Sequence, residues 1–223
     1  GPQHSQSLQA WFAHAPGLKV IMPSTPFDAK GLLLAAIQDP NPVICIEYRK
    51  LYDETGLVPE TPYTIPLGQG IVRHEGTDVT VVATSYMAVE AFRALPALTE
   101  AGISLELIDP RTVKPLDEAL ILRSVEKTGR LVEADTGWAV CGISAEIAAL
   151  AAERVFSALK APVRRVALPD SPAPTSFPLE QAFYPGAEAI IEAVWDVMGK
   201  GRSAKHSKPS PKPRREPAFA GPF

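Results

Sequence analysis

The chain has 223 residues, 46% of them hydrophobic, which is enough for one large core or two smaller ones. Its formal net charge of −3 does not favour nucleic acid or a membrane surface as the main partner, and no apolar run approaches the ~20 residues of a membrane span. The two cysteines, Cys45 and Cys141, lie in apolar stretches, so we expect buried free thiols in a reducing compartment. The chain begins Gly-Pro-Gln-His without a methionine, so we expect an amino-terminal portion to precede it.

The first part of the chain predicts a strand–helix–strand unit. Residues 5–14 have the pattern of a helix end, and apolar runs at 18–22 and 43–46 predict two buried strands of a parallel pair, covered on both faces. The helix between them is expected to start at Pro26, with Ser24 or Thr25 as its cap and Asp28 near its positive end. Residues 48–66 contain three prolines and no apolar periodicity, which predicts a linker.

A second alternation of strands and helices follows the linker. Strands are predicted at 79–83, 104–109, 130–134 and 163–168, and helices at 86–100, 115–128, 142–159 and 187–198, with a proline-rich loop at 169–178. This order is typical of an α/β fold with a parallel, doubly wound sheet. Residues 200–223 hold seven Lys or Arg and five prolines, so we expect a disordered basic tail; contact with an acidic partner is the alternative.

No short catalytic motif stands complete in the sequence. Gly68-Gln69-Gly70 lacks the third glycine and the following helix of a phosphate-binding loop. There is no Gly-Asp-Gly followed by Asn, the pattern that holds a magnesium ion bound to a diphosphate. Four scattered histidines give no metal-ligand spacing.

Longer motifs are more specific. They include His4-Ser5-Gln6, the run from Trp11 to Val20 (WFAHAPGLKV), Pro23-Ser24-Thr25-Pro26, and the run from Ile108 to Asp117 (IDPRTVKPLD). Over about residues 1–199 these motifs resemble, in order and spacing, the beta subunit of the thiamine-diphosphate-dependent decarboxylating component of 2-oxo acid dehydrogenase complexes. Pyruvate dehydrogenase is the nearest member of this transketolase-like group, and branched-chain and acetoin relatives stand close by.

The resemblance implies four segments. Residues 1–48 are the remnant of a pyrimidine-binding domain, 49–66 an interdomain linker, 67–199 a transketolase carboxy-terminal-like domain, and 200–223 the tail. The resemblance also implies that the cofactor-activating glutamate lies upstream and that the alpha subunit supplies the magnesium and diphosphate ligands. This chain alone is therefore not expected to bind thiamine diphosphate.

The resemblance gives His4 a catalytic role, because the position matches the active-site histidine of the family. Decarboxylation of a 2-oxo acid and acyl transfer to a lipoyl group need a proton donor and acceptor near neutrality, which imidazole supplies. On the residues alone, a structural histidine before a helix is the alternative. His14 also matches the family, but its place at a helix end favours a capping or dipole role.

The turn from Ala36 to Asn41 matches the potassium site of the family. There, backbone carbonyls around a helix end encircle the ion, and the corresponding ligands are Ala36, Ile37, Asp39 and Asn41. The last carbonyls of a helix lack intrahelical partners, which makes them suitable oxygen donors. An ordinary helix end followed by a turn is the alternative.

The resemblance further implies partners: the alpha subunit, a second beta subunit and the dihydrolipoyl acyltransferase, in the bacterial cytoplasm or the mitochondrial matrix. Four residues lie at or just after predicted strand ends, where open α/β sheets place binding surfaces: Asp109, Arg111, Asp135 and Trp138. An internal salt bridge is the alternative for the first two. Cys141 and Ile143 stand where relatives usually have glycine, which leaves the choice of substrate and partner open. A transketolase or deoxyxylulose-phosphate synthase relative and a non-catalytic docking module remain rival hypotheses.

Overall fold

The computed structural model describes residues 4–200, and the predicted tail falls almost wholly outside these residues. The helices are α1 Gln9–His14, α2 Pro26–Gln38, α3 Tyr86–Glu100, α4 Glu118–Thr128, α5 Ile143–Arg154, α6 Phe177–Phe183 and α7 Ala187–Val197. The strands are β1 Lys19–Ile21, β2 Val43–Cys45, β3 Ile71–His74, β4 Val79–Ala83, β5 Leu105–Asp109, β6 Thr112–Lys114, β7 Leu131–Trp138 and β8 Arg164–Leu168. Within the described part of the chain, no helix is long and apolar enough to cross a membrane.

The larger sheet has five strands in the order β3-β5-β4-β7-β8, and it is covered by helices on both faces. Helices α3 and α7 pack on one face, where Leu98, Leu105 and Val194 belong to one buried cluster. Helices α4 and α5 pack on the other face, with Ile121 and Ile147 fully or almost fully buried. The predicted α/β fold is therefore confirmed.

The sheet is mixed rather than wholly parallel. The pairs β4–β5, β4–β7 and β7–β8 are parallel, but β3 runs antiparallel to β5 at the edge. The sequence interpretation missed β3, because Ile71-Val72-Arg73-His74 is a short run with two polar residues and weak alternation. An antiparallel edge strand on a mostly parallel sheet is common in α/β folds.

The smaller sheet has three strands in the order β2-β1-β6, and it joins the first part of the chain to the second. Strands β1 and β2 are parallel around α2, as predicted, and Thr25 caps α2 by accepting from the Asp28 amide. Strand β6 comes from the second part and pairs antiparallel with β1. It was missed because its three residues precede a proline, which normally ends a regular element.

Several local predictions were wrong. Strand β2 is only half-buried, so its apolar run is not covered on both faces in the described chain. The α4 helix begins at Glu118 after its Asp117 cap instead of at residue 115, and α5 ends at Arg154 instead of at residue 159. The loop predicted at 169–178 runs into a further short helix, α6.

The prediction that both cysteines are buried also fails. Cys141 is exposed, in a turn where its φ is 53°, and Cys45 is half-buried. Burial raises the pKa of the Cys45 thiol to about 11, and the Glu47 charge adds to this. The apolar neighbours of Cys141 in sequence belong to a surface turn, which a sequence pattern does not reveal.

Candidate functional site

His4 is the first residue that the structure describes, and its side chain is exposed. Irregular chain over residues 5–8 connects it to α1. No hydrogen bond or ion pair of His4 is found among residues 4–200. The imidazole of His4 is thus accessible to solvent. It lies at the start of the segment 4–8, which is held in place by the residue that follows it, Gln9.

The anchor is Gln9, whose side chain is 1% exposed. Its amide Nε2 donates to Asp135 Oδ1 at 2.9 Å and approaches Thr136 Oγ1 at 3.3 Å, both on β7. Thr84, just after β4, donates to the same Asp135 Oδ1 at 2.9 Å. The carboxyl ends of β4 and β7 therefore meet α1 at one point, the edge where open α/β sheets place their sites.

Two buried carboxyl groups lie side by side on β7. Glu133 and Asp135 are each 1% exposed, and as residues i and i+2 of a strand they point to the same face. Burial raises the pKa of Glu133 well above its ordinary value, and the Asp135 charge raises it further. Burial also raises the pKa of Asp135, although the hydrogen bonds from Thr84 and Gln9 oppose the shift. Within residues 4–200, neither carboxyl group has a Lys, Arg or His ion-pair partner.

A cleft of about 460 Å³ opens beside this point. Residues 6–11 form one wall, and the end of β7 with the loop at 170–172 forms the other. Trp11, which is 76% exposed, and Trp138 both line it, and Trp138 Nε1 donates to the Ser171 carbonyl at 3.0 Å. The segment that follows His4 is thus part of a concave surface large enough for a small organic molecule.

A second polar cluster joins the two sheets. It consists of Asp28 on α2, Arg73 on β3, Asp109 at the end of β5, and Arg111 before β6. Arg73 Nη2 lies 2.9 Å from Asp109 Oδ2 and also pairs with Asp28, while Arg111 Nη2 lies 2.8 Å from Asp28 Oδ1. Asp109 and Arg111 are therefore buried structural residues rather than an exposed binding surface, and the alternative of an internal ion pair was nearer the truth.

The connection within this cluster differs from a simple Asp109–Arg111 pair. The Arg111 amide donates to Asp109 Oδ1 at 2.9 Å, while the Arg111 side chain turns to Asp28. Burial lowers the pKa of Arg73, but the charges of Asp109 and Asp28 outweigh this effect and hold it above its usual value. The guanidinium groups balance the buried carboxylates, which makes this cluster a joint and not a reactive centre.

The turn predicted to hold potassium follows α2, which ends at Gln38. The Asp39 amide donates to the Ala36 carbonyl at 3.3 Å, and Asp39 Oδ1 accepts from the Asn41 amide at 2.9 Å. The Asp39 carboxylate also pairs with Lys19, which holds its pKa below the usual value. Ile37 is 72% exposed, so its main chain lies near the surface. Backbone carbonyl oxygens are ligands of the type that binds potassium, but the Ala36 carbonyl already accepts from Asp39, so the potassium site stays a prediction.

Other predicted positions have plainer surroundings. Half-buried Gly70 donates its amide at 3.0 Å to the carboxylate of Asp117, the N-cap residue of α4, so Gly68-Gln69-Gly70 lies against the start of that helix. His14 ends α1 and lines a second cleft with Lys114 and Cys141. Sequence reasoning missed Gln9, Glu133 and Arg73. For Glu133 a signal was available, because two acidic residues at i and i+2 inside a buried apolar strand predict a polar site.

Comparisons with known proteins divide the chain in two. The model of the transketolase carboxy-terminal domain matches residues 68–190, and the model of the transketolase pyrimidine-binding domain matches residues 1–55. Asp28 therefore lies in the second match and Arg73, Asp109 and Asp135 in the first. The buried contacts described above cross the boundary between the two matched regions.

The chain is similar to beta subunits of two bacterial enzymes. The chain is 44% identical to the beta subunit of acetoin:2,6-dichlorophenolindophenol oxidoreductase from Bacillus subtilis, over 89% of this chain and 58% of the relative. It is 43% identical to the pyruvate dehydrogenase E1 component subunit beta of the same organism, over 87% of this chain and 60% of the relative. The chain thus spans somewhat less than two thirds of the length of these relatives.

A solved structure has the same fold. It is described as a split-gene transketolase, an inactive beta4 tetramer; it superposes with a TM-score of 0.73 at 25% identity, covering 87% of this chain and 61% of that chain. The likeness confirms a transketolase-like α/β architecture for residues of both matched regions.

Proposed function

Because this chain belongs to the family of transketolase carboxy-terminal domains, we propose that the complete protein is the beta subunit of a 2-oxo acid dehydrogenase decarboxylating component. The observation that supports this most is the 43–44% identity to pyruvate dehydrogenase E1 beta subunits from Arabidopsis thaliana and Bacillus subtilis, over 86–87% of this chain. The proposed reaction is oxidative decarboxylation of pyruvate or a related 2-oxo acid with acyl transfer to lipoyl groups. The proposed assembly contains two alpha and two beta subunits and docks a dihydrolipoyl acyltransferase.

Thiamine diphosphate, when bound, supplies the electron sink for decarboxylation. From the family resemblance we propose that the diphosphate and its magnesium are held by the alpha subunit. The remaining contacts would come from parts of the beta subunit outside the described residues. This chain contributes His4, which moves protons to and from reacting groups at neutral pH. The exposure of His4 at the head of residues 5–8, beside the cleft, is compatible with access to a substrate held by other parts of the enzyme.

Substituting the two matched histidines separately tests this role. In the assembled enzyme, His4→Ala is expected to lower lipoyl acylation by ~100-fold or more, the usual effect of losing a general acid–base group. His14→Ala is the control, since His14 lies at the end of α1 and is expected to leave the rate within about threefold. Steady-state assays with a free lipoyl domain measure both. Near-normal acylation by the His4 variant would rule out its catalytic role.

We also propose a structural potassium ion at the turn formed by Ala36, Ile37, Asp39 and Asn41. An ion that binds only the folded state raises stability by mass action, so the melting temperature is expected to rise with potassium at constant ionic strength. Sodium at the same concentration is the control. Equal melting temperatures in the two salts would leave the turn as a plain helix end.

Several exposed apolar side chains support a multi-subunit assembly. Trp11 is 76% exposed, Ile37 72%, Phe156 74% and Phe177 65%. Contiguous apolar patches mark contact sites on protein surfaces, so these positions are candidates for such contacts. We propose that other parts of the subunit and its partners cover them, in the bacterial cytoplasm or mitochondrial matrix. The proposed division remains 1–48, 49–66, 67–199 and 200–223.

Acetoin is a second candidate substrate, favoured by the 44% identity to two acetoin oxidoreductase beta subunits, from Bacillus subtilis and Cupriavidus necator. The purified assembly assayed with pyruvate, branched-chain 2-oxo acids and acetoin separates these possibilities. Turnover of one of them identifies the substrate, whereas no turnover with the alpha subunit present would support the non-catalytic docking module.

A further inference from the structure

We propose that Gln9 and Asp135 are positioning residues for His4. The buried hydrogen bond between them holds the His4 segment, residues 4–8, against the carboxyl end of β7. This inference rests on the proposed function of His4 and adds two residues, one from each matched region, that act through it.

The first step of the argument is the anchor. Gln9 begins α1, and its side-chain Nε2 reaches Asp135 Oδ1 at 2.9 Å, a well-formed hydrogen bond across 126 residues of chain. A second contact to Thr136 Oγ1 at 3.3 Å occupies the remaining amide hydrogen. Main-chain bonds also run from Trp11 and Phe12 back to the Leu8 carbonyl. The carboxyl end of the His4 segment is therefore held both by the side-chain hydrogen bonds of Gln9 and by main-chain hydrogen bonds to Leu8.

The second step is the space that the fold leaves for this bond. Gly137 lies two residues after Asp135 on β7. A Cβ atom at position 137 would lie 2.7 Å from Gln9 Nε2 and 3.1 Å from Asp135 Oδ2. Any side chain at position 137 would thus displace the amide from the carboxylate. Asp135 is held from the other side by Thr84, whose hydroxyl donates at 2.9 Å.

The third step concerns stability, which does not account for this arrangement. Asp135 is 1% exposed, and it has no cationic partner in the described chain. Asp135 Oδ2 and Gln9 Oε1 have no hydrogen-bond partner among the described residues. Burying such groups costs stability, and an apolar pair of similar volume would cost less. A costly polar contact that fixes one segment is expected where geometry matters for function.

The fourth step links the anchor to a reaction. Residues 6–11 form one wall of the 460 Å³ cleft, and Asp135 and Gly137 are part of its lining. Movement of Gln9 would therefore displace both that wall and the chain that leads to His4. Misplacement of a catalytic group by about 1 Å is enough to lower a rate ~100-fold.

The test exchanges the donor and the acceptor in the assembled enzyme. Gln9→Leu removes the bond at similar volume and is expected to lower kcat for lipoyl acylation by about 10- to 100-fold while KM for the 2-oxo acid changes less than about threefold. Gln9→Glu places a third carboxyl group beside Asp135 and Glu133. Relative to wild type, its kcat is expected to decrease as the pH rises from about 6 to about 8.5. The reason is that only a protonated carboxyl group can donate a hydrogen bond in place of the amide, and this proton is lost at high pH.

The double variant Gln9→Glu/Asp135→Asn restores one amide and one carboxyl group with their positions exchanged. It is expected to recover kcat to within about fivefold of wild type. Gln181→Leu, a substitution of an exposed glutamine on α6, is the control for side-chain volume and is expected to leave kcat unchanged. Circular dichroism and thermal melting establish that each variant is folded.

Hydrogen exchange of the Trp11 and Phe12 amides, which donate to the Leu8 carbonyl at the end of the His4 segment, gives a readout that does not depend on activity. It is expected to accelerate at least about tenfold in Gln9→Leu. Wild-type kcat and exchange in folded Gln9→Leu, or failure of the exchanged pair to recover kcat, would overturn the positioning role. If His4→Ala is inactive while Gln9→Leu is fully active, only the positioning role fails. If His4→Ala is fully active, the proposed role of His4 fails, and the inference fails with it.

Discussion

Two buried polar clusters lie at the boundary between the matched regions. In one the charges of the carboxylates are balanced by cations, and in the other they are not. In the joint cluster of Asp28, Arg73, Asp109 and Arg111, two guanidinium groups face two carboxylates. In the cluster on β7, Asp135 accepts from the Gln9 amide and the Thr84 hydroxyl, Glu133 Oε1 has no hydrogen-bond partner, and no cation pairs with either carboxyl group among residues 4–200. The carboxyl groups of both clusters are buried, although the Arg73 side chain is 21% exposed, so the main difference between the clusters is charge balance.

This difference separates two uses of buried polarity. A balanced cluster tolerates ionisation and links elements that come from distant parts of the chain, which suits a structural joint. An unbalanced cluster costs stability. Burial raises the carboxyl pKa in both clusters, but the Arg73 charge opposes the rise at Asp109, whereas the Asp135 charge adds to it at Glu133. The comparison predicts opposite responses to neutralising substitutions in the two clusters.

The largest expected effect comes from breaking the joint cluster. Arg73→Met keeps the length of the side chain but leaves Asp109 and part of Asp28 without their cation. The free energy of unfolding is expected to fall by about 3–5 kcal/mol, as for other buried pairs that lose one partner. Urea unfolding of the full chain measures this, and a loss below about 1 kcal/mol would contradict a structural role for the joint cluster.

Neutralisation in the β7 cluster is expected to act in the opposite direction. Glu133→Gln removes a carboxyl group whose folded-state pKa lies well above its ordinary 4.5. Below about pH 4.5 the carboxyl group is protonated in both the folded and the unfolded state, and the folded protein has its full stability. As the pH rises from there to the folded-state pKa, the unfolded state releases its proton more readily, and the free energy of unfolding falls. The variant is therefore expected to be more stable than wild type at pH 7–8, by at most about 1.4 kcal/mol for each unit of pKa shift.

Melting temperatures of both proteins from about pH 4.5 to about pH 8.5 test the sign of this effect. The two curves are expected to converge at low pH, where the carboxyl group is protonated in both states. A wild-type protein that gains stability relative to the variant as pH rises would show that the Glu133 carboxylate is favourably paired, and would remove the contrast between the clusters.

The smallest effect is expected at an exposed pair. Arg164 Nε lies 2.6 Å from Asp196 Oδ2, but the side chains are 51% and 56% exposed. Arg164→Gln is expected to change the free energy of unfolding by about 0.2–1 kcal/mol, and the change should shrink in 0.5 M salt because solvent screens the charges. A loss as large as that of Arg73→Met would mean that burial does not distinguish the pairs.

Local patterns were sufficient for much of the fold. The βαβ unit at residues 19–45, the Thr25 cap, strands β4 and β5 and helix α3 follow from apolar runs, capping residues and helix periodicity. The family resemblance also came from sequence, because long motifs retain their order and spacing. Strands β3 and β6 did not follow, since each is a short segment whose pairing partner lies far away in sequence.

The sequence by itself therefore determined the α/β class, most elements and the candidate histidine, because these depend on neighbouring residues. Only the tertiary structure decided which polar residues meet. It placed Arg73 between Asp28 and Asp109, and it brought Gln9 to Asp135 across 126 residues. Burial and charge balance are properties of groups that come together from distant parts of the chain, so no local pattern of the sequence contains them.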